Sequence, residues 1–298
     1  MHRTLIIGLG GRGAGWAKEV KGHPAFTLTG LADVDPDVLG KRGEELGVAP
    51  ENRFTDYHEA LASGQFDAVV EVTPTHLHYS ITKDILDAGL HCLLEKPFTL
   101  NLNEAEELVE LAESKKSVLQ IVQNYRFNSL CQFIAEAIRN GRLGRLGSVE
   151  GRFHRSRPPR YEQEINMPHP MIWVQGIHHL DWLASILPAK IVQVHSCHSR
   201  PPWSQWQHPS ICRILFECAD GVLVSYAGSY NSQGDQSIRK IGCGASPTRV
   251  KTARSSSSPI PTRKPGTNGS STPCTPPSPT EPNPPPPEKI TSKRSNSC

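Results

Sequence analysis

Apolar positions in the first 123 residues fall into short runs separated by segments with helical spacing. Residues 4–7, 26–32, 67–73 (DAVVEVT), 90–94 and 118–122 read as strands. Near-continuous apolar runs of this kind suit parallel strands buried on both faces. Helical patterns fill the gaps at 14–21, 36–46, 57–62, 76–88 and 103–114. Asp35-Pro36-Asp37 supplies cap and first-turn chemistry for the second of these, and Gly89 closes the fourth. Strands alternating with helices predict a doubly wound parallel sheet with right-handed crossovers over residues 1–123.

The pattern changes after residue 123. A helix over 129–140 is followed by a strand at 147–154, a helix at 175–187 and strands at 191–198, 211–218 and 222–230. The last two join across Ala219-Asp220-Gly221, a hairpin signal. The fold class expected is α/β: a Rossmann-type sheet plus a second α+β domain, residues 124–235, with an open, largely antiparallel sheet. Beyond about Gly234 the periodicity stops. No aromatic residue follows Tyr230, and thirteen of the 26 prolines lie between Pro247 and Pro287. Residues 236–298 are therefore expected to be a disordered, Pro/Ser/Thr-rich tail.

Charge sharpens this division. The formal net charge is +3, but ten Lys/Arg and only two acids lie beyond Asp235, so residues 1–235 carry a net −5. A mildly acidic body excludes a nucleic-acid-binding surface of the usual basic kind. No apolar run is long enough to span a membrane. The eight cysteines show no CxxC pairing. With the N-terminal apolar run entering a glycine turn, the expectation is reduced thiols and a cytoplasmic protein.

Gly8-Leu9-Gly10-Gly11-Arg12-Gly13 fits G-x-G-x-x-G. It follows the first strand and opens the first helix. In that context glycines let a backbone turn approach a pyrophosphate at a helix N-terminus. Asp33 ends the second strand, where a carboxylate accepts hydrogen bonds from a ribose 2′-hydroxyl and repels a 2′-phosphate. NAD is expected over NADP, with Arg12 as a second phosphate contact that keeps NADP open. Thr73 ends the 67–73 strand and Pro74 follows it, at the same sheet edge. His76 and His78 come next, and the reading there is cofactor contact or helix-start packing. Glu95-Lys96-Pro97 follows the 90–94 strand at that edge. A lysine beside a cationic nicotinamide, among apolar neighbours, has reason to lose its proton or to hydrogen-bond a substrate oxygen. The Lys96–Pro97 bond is a candidate cis peptide, with trans the default. His195, Cys197, His198, His208 and Cys212 fit no zinc spacing, so no metal is expected.

GLGGRG, ADVDP (32–36), TPTHLH (73–78), LLEKPFTLN (93–101) and NYRF (124–127) together resemble the glucose–fructose oxidoreductase, inositol dehydrogenase and rhizopine-catabolism family, written Gfo/Idh/MocA. The resemblance implies NAD(P)-dependent oxidation or reduction of a sugar, polyol or related carbonyl. It also implies homo-oligomers formed through the second-domain sheet. A family pattern D-x-G-x-H-x-x-D falls on Val174, Gly176, His178 and Asp181, so His178 is the implied general base and Lys96 its partner at the substrate hydroxyl. The helper carboxylate position holds Val174. His179 or Asp181 are the candidates to replace it. Tyr125 and Arg126 lie at the expected cleft and read as substrate contacts, with a cofactor contact or a hinge ion pair as the alternatives for Arg126. The resemblance further implies a second domain longer than the sheet-like sequence here, so the tail is expected to be an out-of-frame reading or truncation. Two alternatives to a dehydrogenase stand at this stage: a dinucleotide-binding sensor without turnover, and an NAD-dependent glycosidase.

Overall fold

A computed structural model describes residues 1–232. The expectation for 236–298, including the reading of that tail as out of frame, lies outside the described residues. The first sheet is built from β1 (His2–Ile7), β2 (Phe26–Ala32), β3 (Arg53–Phe54), β4 (Ala68–Glu71), β5 (His91–Leu94) and β6 (Leu119–Ile121), ordered β3-β2-β1-β4-β5-β6 with every pair parallel. The strand order reverses between β1 and β4, which opens a crevice at their carboxyl ends.

The helices between the strands are α1 (Gly11–Gly22), α2 (Pro36–Leu46), α3 (Tyr57–Ala62), α4 (His78–Asp87) and α5 (Leu102–Lys115). Strand alternation sends side chains to opposite faces. Leu5 and Ile7 join Ala60, Phe66, Ile81 and Ile85 in one core layer. Ile6 packs with Ala17, Val20, Leu31, Leu39 and Leu46 in the other. α2 forms although Gly40 and Gly43 lower its propensity. The Asp35 carboxylate accepts from the N–H groups of Asp37 and Val38, Pro36 presets the first turn, and Gly47 closes the helix at φ 70°. Caps of this kind are worth roughly 0.5–2 kcal/mol.

The second sheet has the order β7-β10-β9-β8, from β7 (Ser148–His154), β8 (Ile191–Ser199), β9 (Ile211–Cys218) and β10 (Leu223–Ser229). The β8–β9 and β9–β10 pairs are antiparallel, whereas β7 runs parallel to β10. α6 (Ser129–Arg139), α7 (Glu162–Ile165) and α8 (Ile177–Ile186) accompany it. Met171, Leu183, Ile186, Ile214, Val224 and Tyr226 form its core between α8 and the sheet's inner face.

Several elements differ from the sequence reading, among them the short α7, which that reading does not predict. α1 begins at Gly11 instead of residue 14, because the glycine turn itself winds into the first helical turn. β3 is two residues long and carries no periodicity to read. The helix expected from residue 175 begins at Ile177, after a π-helical turn over Met171–Gly176. Such turns are rare and often mark functional positions. Among the described residues, no helix is long and apolar enough to cross a membrane.

Leu5 is fully buried in the central strand. Leu5→Ala is expected to cost about 2–5 kcal/mol, seen as a lower urea midpoint at unchanged m-value.

Candidate functional site

The cofactor end is assembled by the β1–α1 turn. Gly8 has φ +91°, and a Cβ there would sit 2.7 Å from the Val72 carbonyl oxygen. A Cβ on Gly13 would lie 1.9 Å from the Gly8 carbonyl oxygen, so these two glycines let the turn close. Gly10 and Gly11 face open space instead, at the N-terminus of α1, where the first N–H groups have no intrahelical acceptor. Asp33 is fixed from the backbone: its Oδ2 accepts from the Leu9 N–H at 2.6 Å and its Oδ1 from the Asp35 N–H at 3.0 Å. Gly8, Gly10, Asp33, Val34, Thr73 and Pro74 line a cavity of about 510 Å³, and no Lys or Arg lines it.

The other expected cofactor residues divide. Arg12 Nε donates to Glu95 Oε1 at 2.7 Å, and Trp16 Nε1 donates to the same oxygen at 2.9 Å. The Lys96 N–H donates to Glu95 Oε2. Burial works against the Glu95 charge, but the hydrogen bonds from Trp16 and Arg12 outweigh it and hold the carboxyl below its ordinary pKa. Arg12 and Glu95 thus hold each other at the sheet edge. His78 is buried, with Nδ1 2.7 Å from the Pro97 carbonyl oxygen and Nε2 2.9 Å from that of Thr73. Its place is a tie between the two loops, the packing alternative for this histidine. The Lys96–Pro97 bond is cis.

The reacting groups meet where the two sheets approach. Lys96 Nζ donates to the Val174 carbonyl at 3.1 Å. Val174 lies in the π-helical turn, one helical turn before His178. Burial lowers the Lys96 pKa, and the charges of Arg12 and Arg157 push it the same way against Glu95. His178 is buried against Tyr125, their rings stacked at 4.7 Å and 11°. Burial, and then the charge of Lys96, hold its pKa down to about 4. Its Nδ1 is buried without a hydrogen-bond partner.

The adjacent histidine points elsewhere, as the roughly 100° turn between neighbouring helical residues requires. His179 Nδ1 lies 2.7 Å from the Tyr226 hydroxyl in the second-domain core, and burial together with His178 lowers its pKa to about 4. Neither proposed replacement for a helper carboxylate reaches His178. His179 is engaged with Tyr226, and Asp181 accepts both Nε and Nη2 of Arg126 at 2.5 and 2.6 Å. The Arg126–Asp181 contact is an ion pair within residues 124–235, joining the turn after β6 to α8 and occupying both oxygens of Asp181. Tyr125 remains beside His178, and its hydroxyl accepts from Gln175 at 2.7 Å. His195 and Cys197 share the exposed face of β8. His198 faces the other way against His169, and no group of three or more potential metal ligands occurs among the described residues. Sequence reading missed Trp16, Gln175 and Arg157, because each reaches its partner only across elements distant in the chain.

A parallel six-stranded sheet with a glycine-lined crevice and a second open sheet defines a two-domain dinucleotide-binding protein. Comparison with known families narrows the class. Residues 2–123 match "Oxidoreductase family, NAD-binding Rossmann fold", and residues 131–245 match "GFO/IDH/MocA C-terminal domain". The chain belongs to the Gfo/Idh/MocA oxidoreductase family and carries its NAD-binding Rossmann domain. An uncharacterized oxidoreductase of Schizosaccharomyces pombe is 37% identical over 43% of this chain and 36% of its own length. The myo-inositol 2-dehydrogenase of Thermotoga maritima is 31% identical over 48% of this chain and 42% of its own. Among solved structures, an inositol dehydrogenase homolog of Azotobacter vinelandii complexed with NADH and myo-inositol superimposes with a TM-score of 0.70 at 25% identity. That match covers 78% of this chain and 65% of the other. The chain therefore spans well under two thirds of the length of these curated relatives.

His178 and His179 have folded pKa values near 4 against an ordinary 6.5. The unfolded chain binds protons first as pH falls, so stability is intact above pH 6.5 and declines between 6.5 and 4. The loss is on the order of 3 kcal/mol for each histidine. Urea titrations from pH 7 to 4.5 should show this decline, with a shallower slope in His178→Gln.

Proposed function

We propose that the chain is an NAD-dependent dehydrogenase acting on a CH–OH group of a sugar-like substrate. In this reading residues 1–123 hold the cofactor and residues 124–235 hold the substrate. The observation that carries the reading is the placement of Lys96 and His178, which approach one turn of backbone at the carboxyl edge of the parallel sheet with both pKa values lowered. The residues present fit a dinucleotide. Gly8 and Gly10 give a backbone cradle, the N-terminus of α1 offers N–H groups to a diphosphate, and Asp33 offers acceptors to a ribose. When bound, NAD supplies the hydride acceptor for alcohol oxidation.

The protein's own groups manage the proton. His178 is neutral at pH 7, so a ring nitrogen has a lone pair for the substrate O–H proton. Lys96 donates a hydrogen bond to the same oxygen and stabilises the negative charge that develops there. The Val174 carbonyl holds the ammonium in place until substrate arrives. Tyr125, stacked on the imidazole and fixed by Gln175, sets the ring plane.

One observation favours a second reading, a dinucleotide sensor without turnover. No carboxylate orients His178: position 174 is a valine, and Asp181 is held by Arg126. Removing the orienting acid from a catalytic triad lowers its rate by about four orders of magnitude. Here the stack on Tyr125 supports the ring in its place.

Turnover followed at 340 nm on a panel of sugars and polyols tests the proposal. Lys96→Ala and His178→Ala should each reduce kcat/KM by about 10²–10⁴-fold, while His178→Ala keeps its NADH affinity. NADH binding with no turnover on any member of the panel would favour the sensor. Fluorescence titration should give an affinity for NADH at least about tenfold above that for NADPH, and Asp33→Ala should narrow the gap.

A further inference from the structure

Beside the second sheet, close enough for its charge to act on Lys96, lies a cation that the chemistry above does not use. Arg157 follows β7, just past an isolated antiparallel bridge between Ser156 and Asn231. The side chain is only 9% exposed. Its guanidinium lies over the rings of Trp206 and Tyr230, 5.3 and 5.1 Å from their centroids. Nη2 donates to Glu164 Oε1 at 2.9 Å. Nη1 is buried with no partner, and so is the hydroxyl of Tyr230, a residue 2% exposed. Leaving a buried donor unsatisfied costs roughly 1–3 kcal/mol, more when it is charged. Arg157 and Tyr230 line a cavity of about 80 Å³ with Ser156, Trp203 and Asn231, a volume that suits a carboxylate.

This pair stands close to the reacting groups. The Tyr230 ring lies 6.4 Å from that of Phe153, which is 4.8 Å from His179, the neighbour of His178. Arg157 is near enough to Lys96 for its charge to act on the ammonium. Two further facts favour an anion over a neutral hydroxyl. Arg157 has donors only, and its guanidinium, set against the stacked rings of Trp206 and Tyr230, offers the planar fork that suits a carboxylate. Its one acidic partner, Glu164, occupies Nη2, and Lys96 forms no salt bridge among the described residues.

We propose that Arg157 Nη1 and the Tyr230 hydroxyl form an acid-recognition subsite of the substrate cleft, so that the substrate is a sugar acid instead of a neutral sugar or polyol. The inference rests on the dehydrogenase reading and names its substrate class.

Three pairs that differ only at C6 test it: D-glucuronate, D-galacturonate and D-mannuronate, each against its parent hexose. The full chain, saturated with NADH, is titrated calorimetrically with each sugar, and NAD-dependent oxidation of each is followed at 340 nm. In at least one pair the uronate should be favoured at least tenfold. Arg157→Gln should erase that preference through Kd and KM, with kcat and the response to the hexose largely kept. Tyr230→Phe, which removes only an unpartnered hydroxyl, should reduce the preference severalfold and carries the test if Arg157→Gln does not fold. Equal or better handling of the hexose in every pair overturns the subsite, as does an equal effect of Arg157→Gln on both members of a pair. Turnover of hexoses without discrimination would leave the dehydrogenase standing and remove the subsite. Arg157-dependent uronate binding without turnover would do the reverse. Neither binding nor turnover with any pair overturns both.

Discussion

The buried carboxylate of Glu95 accepts from Arg12, from Trp16 and from the backbone N–H of Lys96, and these three bonds join the parts of the site that must act together. Arg12 and Trp16 belong to the helix whose N-terminus faces the cofactor crevice. Lys96 is the next residue along the chain from Glu95. One side chain therefore ties the position of the glycine turn to that of the lysine. Glu95 stays charged although buried, because three donors replace its water. Removing any one of them would leave part of a buried charge unsatisfied, the costly side of hydrogen-bond energetics. His78 reinforces the arrangement from the other flank by linking the Thr73 and Pro97 carbonyls.

From this junction the site extends to the second sheet through two contacts of different character. The Lys96 ammonium reaches the Val174 carbonyl, a bond that a substrate oxygen can replace. Arg126 and Asp181 make a paired, two-point contact on the rim. The first is a single bond from a partly buried ammonium, and the second is a bidentate ion pair whose arginine is half-exposed. The π-helical turn before α8 presents the Val174 carbonyl toward Lys96 and sets His178 and His179 on different sides, one at the cleft and one in the core. Arg157 and Tyr230 each keep one buried polar atom without a partner, although Arg157 is paired with Glu164 through Nη2.

Much of the fold could be read from the chain because its apolar runs are local. Alternating strand and helix periods located β1, β2, β4, β5 and β6 and the helices between them, and the hairpin signal placed β9 against β10. β3 escaped because two residues carry no period. The start of α1 was displaced because glycine suppresses helix propensity even where the backbone is helical. The parallel docking of β7 on β10 came from no local signal, since the two strands are separated by some seventy residues.

The sequence by itself determined the alternation of elements, the glycine turn, Asp33 at the end of β2 and the Glu95-Lys96-Pro97 run, because each is written in contiguous residues with fixed spacing. It also singled out His178, through its resemblance to a family pattern eight residues long. What each side chain does was decided by the tertiary structure. Asp181 and Arg126 turned to each other, His179 turned to Tyr226, Arg12 was held by Glu95, and Arg157 was buried beneath Trp206 and Tyr230. The physical reason is that a charged or polar group's role depends on who else is buried beside it. Those neighbours come from strands and helices that only folding brings together.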